Sequence, residues 1–147
     1  MSTATPAMDM RFIRERLHAL GFGTGTRDGE LIVIVGDLTY WFRMDGPGSR
    51  LTVTTAHPRV LRGRTETLAG EMLATALNTI PGPGEVSFLP DVGILAVTFD
   101  LPVGEPVTAM ELDEFIMETL SIGVVVAERI SAELQPLIRR VGDLTGS

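Results

Sequence analysis

The chain has 147 residues, 44% of them hydrophobic, a net charge of −7, and neither cysteine nor lysine. That length suits a single domain, residues 1–147, with a sizeable core. The missing thiols and amines exclude disulfides, thiolate nucleophiles, cysteine-ligated zinc, Schiff-base chemistry and a phosphate-loop lysine.

Charge is unevenly spread. Residues 1–64 carry nine arginines against six acids, whereas residues 65–128 carry eleven acids and no base. An acidic total argues against nucleic acid as a partner, because neutralising phosphates needs a basic surface. Met1 to Pro6 lack a basic segment leading into an apolar one, and the apolar runs are too short to span a bilayer. The expectation is a cytoplasmic protein that does not engage a membrane.

The first predicted helix starts with Thr5 as cap and Pro6 at its first position, and Met10, Ile13, Leu17 and Leu20 form its apolar stripe. Gly21-Phe22 reads as a Schellman ending, with a left-handed glycine and an apolar residue folding back. Asp28-Gly29 predicts a tight hairpin between Phe22–Arg27 and Glu30–Val35. Leu31 to Val35 is apolar throughout, which predicts a strand covered on both faces. In the next strand Leu38, Tyr40, Phe42 and Met44 alternate with Thr39, Trp41 and Arg43. Leu51, Val53 and Thr55 alternate in a strand that Pro58 ends.

Residues 58–64 form a basic connector. Thr65 is the expected cap of a second helix whose stripe is Leu68, Met72, Ala76 and Ile80, widened by Leu73 and Leu77. Pro81 to Gly84 stops it. A hairpin follows, with Val86 and Phe88 in one strand, a type I turn over Pro90 to Gly93, and a return strand from Ile94 to Leu101. Thr108 and Glu111 make a capping box for the last helix. Its main stripe runs Leu112, Phe115, Ile116, Thr119, Gly123, Ala127, Ile130, Leu134 and Leu137. Met117, Leu120, Val124 and Val125 add a second stripe, so this helix needs cover on two sides. Ser121-Ile122-Gly123 is a place for a bend or break, and Pro136 marks the approximate end. The fold class is therefore α+β, a mainly antiparallel twisted sheet flanked by helices in the order α, three to four β, α, two β, α.

The residues offer little catalytic equipment. His18 and His57 are too few for a metal site, and no metal or cofactor is expected. Glu111, Asp113, Glu114 and Glu118 read as a solvated face that compensates the helix dipole. Gly21 to Gly25 follows a helix and does not match dinucleotide-binding spacing. Arg59, Arg62 and Arg64, beside a helix start, are the candidate anion-binding residues. Trp41 and Tyr40 could stack on a ligand, although core or interface packing is their commoner use.

Several of these segments together resemble the YbjN family, described broadly as bacterial sensory transduction regulators. The carrying residues are Ala76-Leu77-Asn78, the hairpin Val86–Leu101, Gly104 to Thr108, the helix Leu112–Leu137 with its central Ile122-Gly123, and the first helix ending in Leu20-Gly21. The chain departs from the family pattern after Asn78, where Thr79, Ile80 and Pro81 stand. The resemblance implies a fold similar to type III secretion chaperones, commonly dimeric. On this reading the chain is a non-enzymatic homodimeric regulatory or protein-binding module, with Met117, Leu120, Val124 and Val125 at the interface. The alternatives are a chaperone for a client protein segment and a binder of small anions or nucleotides through Arg59, Arg62 and Arg64.

Overall fold

The computed structural model describes residues 9–45, 50–79, 82, 84–102 and 107–146. In it, three helices share one core with a six-stranded sheet. The elements are α1 (Met10–Ala19), β1 (Gly25–Arg27), β2 (Glu30–Val35), β3 (Leu38–Asp45), β4 (Arg50–Ala56), α2 (Gly63–Asn78), β5 (Gly84–Leu89), β6 (Ile94–Pro102) and α3 (Ala109–Thr145). This is the expected α+β order, with four strands before α2. Across the sheet the strands run β1-β2-β3-β4-β6-β5, and every neighbouring pair is antiparallel.

Local chemistry sets the turns. At the end of α1, Gly21 has φ +95°. The Phe22 amide donates to the Leu17 carbonyl at 2.9 Å and the Gly21 amide to that of His18 at 3.0 Å. These are the two bonds of a Schellman motif. Asp28 and Gly29 both take positive φ, 52° and 79°, as the mirror-image turn of a two-residue hairpin requires. Between β5 and β6 the Val92 and Gly93 amides both donate to the Leu89 carbonyl, and Gly93 supplies φ +73°. The Thr108 hydroxyl accepts from the Glu111 amide at 3.1 Å, which gives α3 its cap.

The register builds the core in rows. Leu31, Phe42, Val53 and Phe99 stand opposite one another, and so do Val33, Tyr40, Thr55, Val97 and Val86. These residues pack with Ile13 and Leu17 of α1, Leu73 of α2, and Leu112, Ile116 and Ile130 of α3. Burying such side chains stabilises the fold by about 1.5–3 kcal/mol each.

Several expectations are corrected. The cap of α1 is Asp9, whose side chain accepts from the Phe12 amide at 2.8 Å; Thr5 and Pro6 lie outside the described residues. Helix α2 begins two residues before Thr65, with Arg62 as its cap and the Arg62 amide donating to Glu66 Oε1 at 3.1 Å. Its buried face is Ala69, Gly70, Leu73 and Ala74, not the stripe through Leu68, Met72 and Ala76; Ile80 lies outside the described residues. Small residues win that face because close approach is needed there. A Cβ on Gly70 would stand 2.5 Å from a Leu61 methyl and 3.4 Å from the Phe88 ring. Strand β2 is not covered on both faces: Leu31 and Val33 are buried, but Ile34 is 67% exposed.

Helix α3 neither breaks at Gly123 nor ends at Pro136. It runs 37 residues to Thr145, with Pro136 inside it and Gly146 left-handed at its end. At Gly123 the glycine serves contact rather than bending. A Cβ there would lie 2.8 Å from Tyr40 Cε2 and 2.9 Å from Cζ. The space is filled by the Tyr40 ring, whose hydroxyl donates to the Leu120 carbonyl at 2.8 Å. Beyond Pro136 the helix is held by burial of Val141 and Gly142.

Candidate functional site

Among the described residues, a cleft of about 680 Å³ lies between the β2–β3 turn, the end of β4 and the middle of α3. Its walls are mostly apolar, with Val35, Leu38, Pro58, Val124 and Ala127, and its polar residues are Asp37, His57, Glu128 and Ser131. His57 closes the inner end because its own amide extends the β4–β6 ladder by donating to the Leu95 carbonyl at 2.8 Å.

The His57 ring lies 2.8 Å from Ser131 Oγ through Nε2, a pairing that resembles a nucleophile and its base. The other nitrogen decides its chemistry. Nδ1 accepts the Arg59 amide at 3.2 Å, so the neutral ring carries its proton on Nε2 and donates it to Ser131. The serine hydroxyl is thus an acceptor facing a donor, and this tautomer cannot take its proton. Burial, and secondarily the nearby Arg59 charge, lowers the His57 pKa and favours this neutral state. His18 is tied at the surface to Thr24 Oγ at 2.9 Å. Among the described residues, no three histidine, aspartate or glutamate side chains gather as metal ligands.

The three connector arginines do not form one site. Arg59 turns to α3, donating to Gln135 Oε1 at 2.7 Å, and it lies 4.0 Å from Glu66 Oε2. Arg62 and Arg64 instead line a second cleft of about 590 Å³ at the start of α2, together with Arg139, Glu66 and Asp143. Arg139 was missed by sequence reasoning because it lies more than seventy residues away on a different helix. The acidic start of α3 also divides. Asp113 receives a two-point bond from Arg16, Nε to Oδ1 at 2.8 Å and Nη2 to Oδ2 at 2.6 Å, which ties α1 to α3. That bond to Asp113 raises the Arg16 pKa. Glu111, Glu114 and Glu118 remain at the surface.

The four interface candidates on α3 separate as well. Leu120 is only 4% exposed and belongs to the core; Val124 is half-buried against that core and lines the first cleft. Met117 and Val125 are 44% and 57% exposed. Another apolar surface lies on the outer sheet face. Ile32 and Trp41 are register partners there, and Ile34 faces Thr39. None of the three apolar side chains packs against the core. The row through Ile34, with Thr39, Ala56, Ala96 and Ser87, carries no charge, whereas Glu30 and Arg43 flank Trp41 on the other side. The sequence signal for this face was the alternation of β3, which places Tyr40 in the core and Trp41 outside it.

At the sheet edge, Asn78 replaces a missing strand. Its Nδ2 donates to the Val86 carbonyl at 2.6 Å and its Oδ1 accepts the Val86 amide at 2.8 Å. That pairing satisfies the Val86 amide and carbonyl, which an edge strand would otherwise leave open to another strand.

No family model and no curated protein sequence matches the chain. Among solved structures, YbjN from E. coli, described as a candidate transcription regulator, is similar at a TM-score of 0.71, covering 89% of this chain and 98% of its own, with 16% identity. At that identity the likeness carries the fold alone. The resemblance read from the Asn78 segment, the β5–β6 hairpin and the last helix therefore holds at the level of architecture: the chain has a YbjN-like α+β fold.

Proposed function

We propose that this chain is a non-enzymatic regulatory module that works by binding protein, first of all a second copy of itself. The observation that carries the reading is the outer sheet face. No described helix covers it, it presents Trp41, Ile32 and Ile34 together, and the row through Ile34 is small and uncharged, with Glu30 and Arg43 bordering Trp41 on the other side. An apolar patch with a charged rim suits burial against another surface. The His57–Ser131 tautomer supports the non-enzymatic half of the proposal.

Light scattering on the eluting protein tests it. A dimer at micromolar concentration is expected, and Ile34→Glu is expected to yield a folded monomer. A wild-type monomer would count against self-association. Val125→Glu gives the competing placement on α3: if it separates the copies while Ile34→Glu leaves the mass unchanged, the interface lies on the helix. Binding of small anions is the second reading, favoured by the convergence of Arg62, Arg64 and Arg139. A thermal-shift series with phosphate and nucleotides would detect it. The client-chaperone alternative would use the β1 edge of the sheet, because Asn78 engages Val86 on the β5 edge.

A further inference from the structure

We infer that the cleft between the β2–β3 turn and α3 is a binding site for a small amphiphilic cation, a short hydrocarbon group bearing an ammonium. The inference rests on the reading of this chain as a regulatory module and supplies its effector. Three observations carry it. The first is size: about 680 Å³ falls within the range of pockets that enclose small organic ligands. The second is charge. Asp37 and Glu128 both line the cleft, and neither arginine nor lysine does. Glu128 comes from the middle of α3 and Asp37 from the β2–β3 turn, so the two carboxylates reach the cleft from different elements. The third is the apolar lining, to which Val35, Leu38, Pro58, Val124 and Ala127 contribute.

The remaining wall is hydrocarbon, and its one histidine is already spent. The His57 nitrogens are engaged by Ser131 and the Arg59 amide, so the imidazole adds no charge that would repel a cation. An ammonium, with its three donors, suits the two carboxylates, while its hydrocarbon lies against Leu38, Pro58, Val124 and Ala127. An anion of the same shape would face both carboxylates.

Calorimetric titration tests this with three probes of equal length, n-hexylammonium, n-hexanol and hexanoate. Hexylammonium is expected to bind at least about tenfold more tightly than the other two, and Asp37→Asn and Glu128→Gln are each expected to weaken it about tenfold. Both substitutions sit at the exposed rim, and circular dichroism confirms that each variant is folded. Ala127→Trp, which fills the wall, is expected to abolish binding. Equal affinity for hexanol or hexanoate, undiminished affinity in both charge variants, or no heat from any probe overturns the inference. So does binding only of an arginine-containing peptide. The oligomeric state is read separately by light scattering: a dimer that ignores hexylammonium removes this site and leaves the proposed function standing, whereas a monomer that binds it does the reverse.

Discussion

Replacing Gly123 by alanine separates two opposed effects that helix propensity alone would misjudge. In an ordinary helix interior, glycine to alanine stabilises by about 1 kcal/mol. Here the new methyl would meet Tyr40, with ring carbons at 2.8 and 2.9 Å, so α3 or the ring must retreat by roughly 0.7 Å to reach normal carbon contact. Tyr40 is fully buried and anchored by its bond to the Leu120 carbonyl, which leaves it little room. Overpacking of this kind costs about 1–3 kcal/mol, and loss of the hydrogen bond adds about 1 kcal/mol. After the propensity gain, the net destabilisation is about 1–3 kcal/mol. For a chain of this size, each 1 kcal/mol lowers Tm by about 2–4 °C.

Urea denaturation of the wild type, Gly123→Ala, Tyr40→Phe and the double variant provides the assay. Tyr40→Phe removes the atom nearest the new methyl, so the two changes should couple by more than about 0.5 kcal/mol. If Gly123→Ala raises stability, or costs the same with and without the Tyr40 hydroxyl, the close-contact account of this glycine is wrong.

Burial pushes the Tyr40 pKa up to about 12 from 10.0, so the folded state holds its proton more tightly than the unfolded state; stability should be full below pH 10 and fall as pH climbs from 10 toward 12. Tyr40 is the chain's only tyrosine, and near-ultraviolet absorbance follows its ionisation directly; a transition near pH 10 in folded protein would contradict the burial. His57 has the opposite sign. Its folded pKa is lowered from 6.5, so its contribution is present above pH 6.5 and is lost as pH falls below that value. His57→Gln should flatten the acid limb of the stability profile, and an unchanged slope would place the titration elsewhere. Asn78→Ala leaves the Val86 amide and carbonyl without their side-chain partner, at a cost of about 1–3 kcal/mol. Hydrogen exchange at the Val86 amide should accelerate, and unchanged protection would show that another group had taken over the edge.

What could be read from the sequence was whatever a few adjacent residues decide among themselves. Gly21 had to be the left-handed end of α1, Asp28-Gly29 had to turn a hairpin, and Thr108 had to cap α3, because positive φ and free helix-end amides admit few residue types. Alternation in β3 likewise sorted Tyr40 from Trp41. The candidate sites were less legible. His57 looked like a lone histidine because Ser131 lies 74 positions away, and Arg59 looked like a partner of Arg62 and Arg64 until Gln135 drew it off.

The amino-acid order by itself thus determined the tight turns, the stop of α1 and the start of α3. Tertiary structure alone decided which face of α2 is buried and how far α3 runs. Periodicity counts apolar carbon but does not register distance between backbones, so it chose Leu68, Met72 and Ala76 for the inside of α2, where Ala69, Gly70 and Ala74 let neighbours come close. The same blindness made Gly123 and Pro136 look like breaks. Packing against Tyr40 and burial of the last turns kept α3 whole, because contacts made far along the chain outweigh a local preference worth about 1–3 kcal/mol.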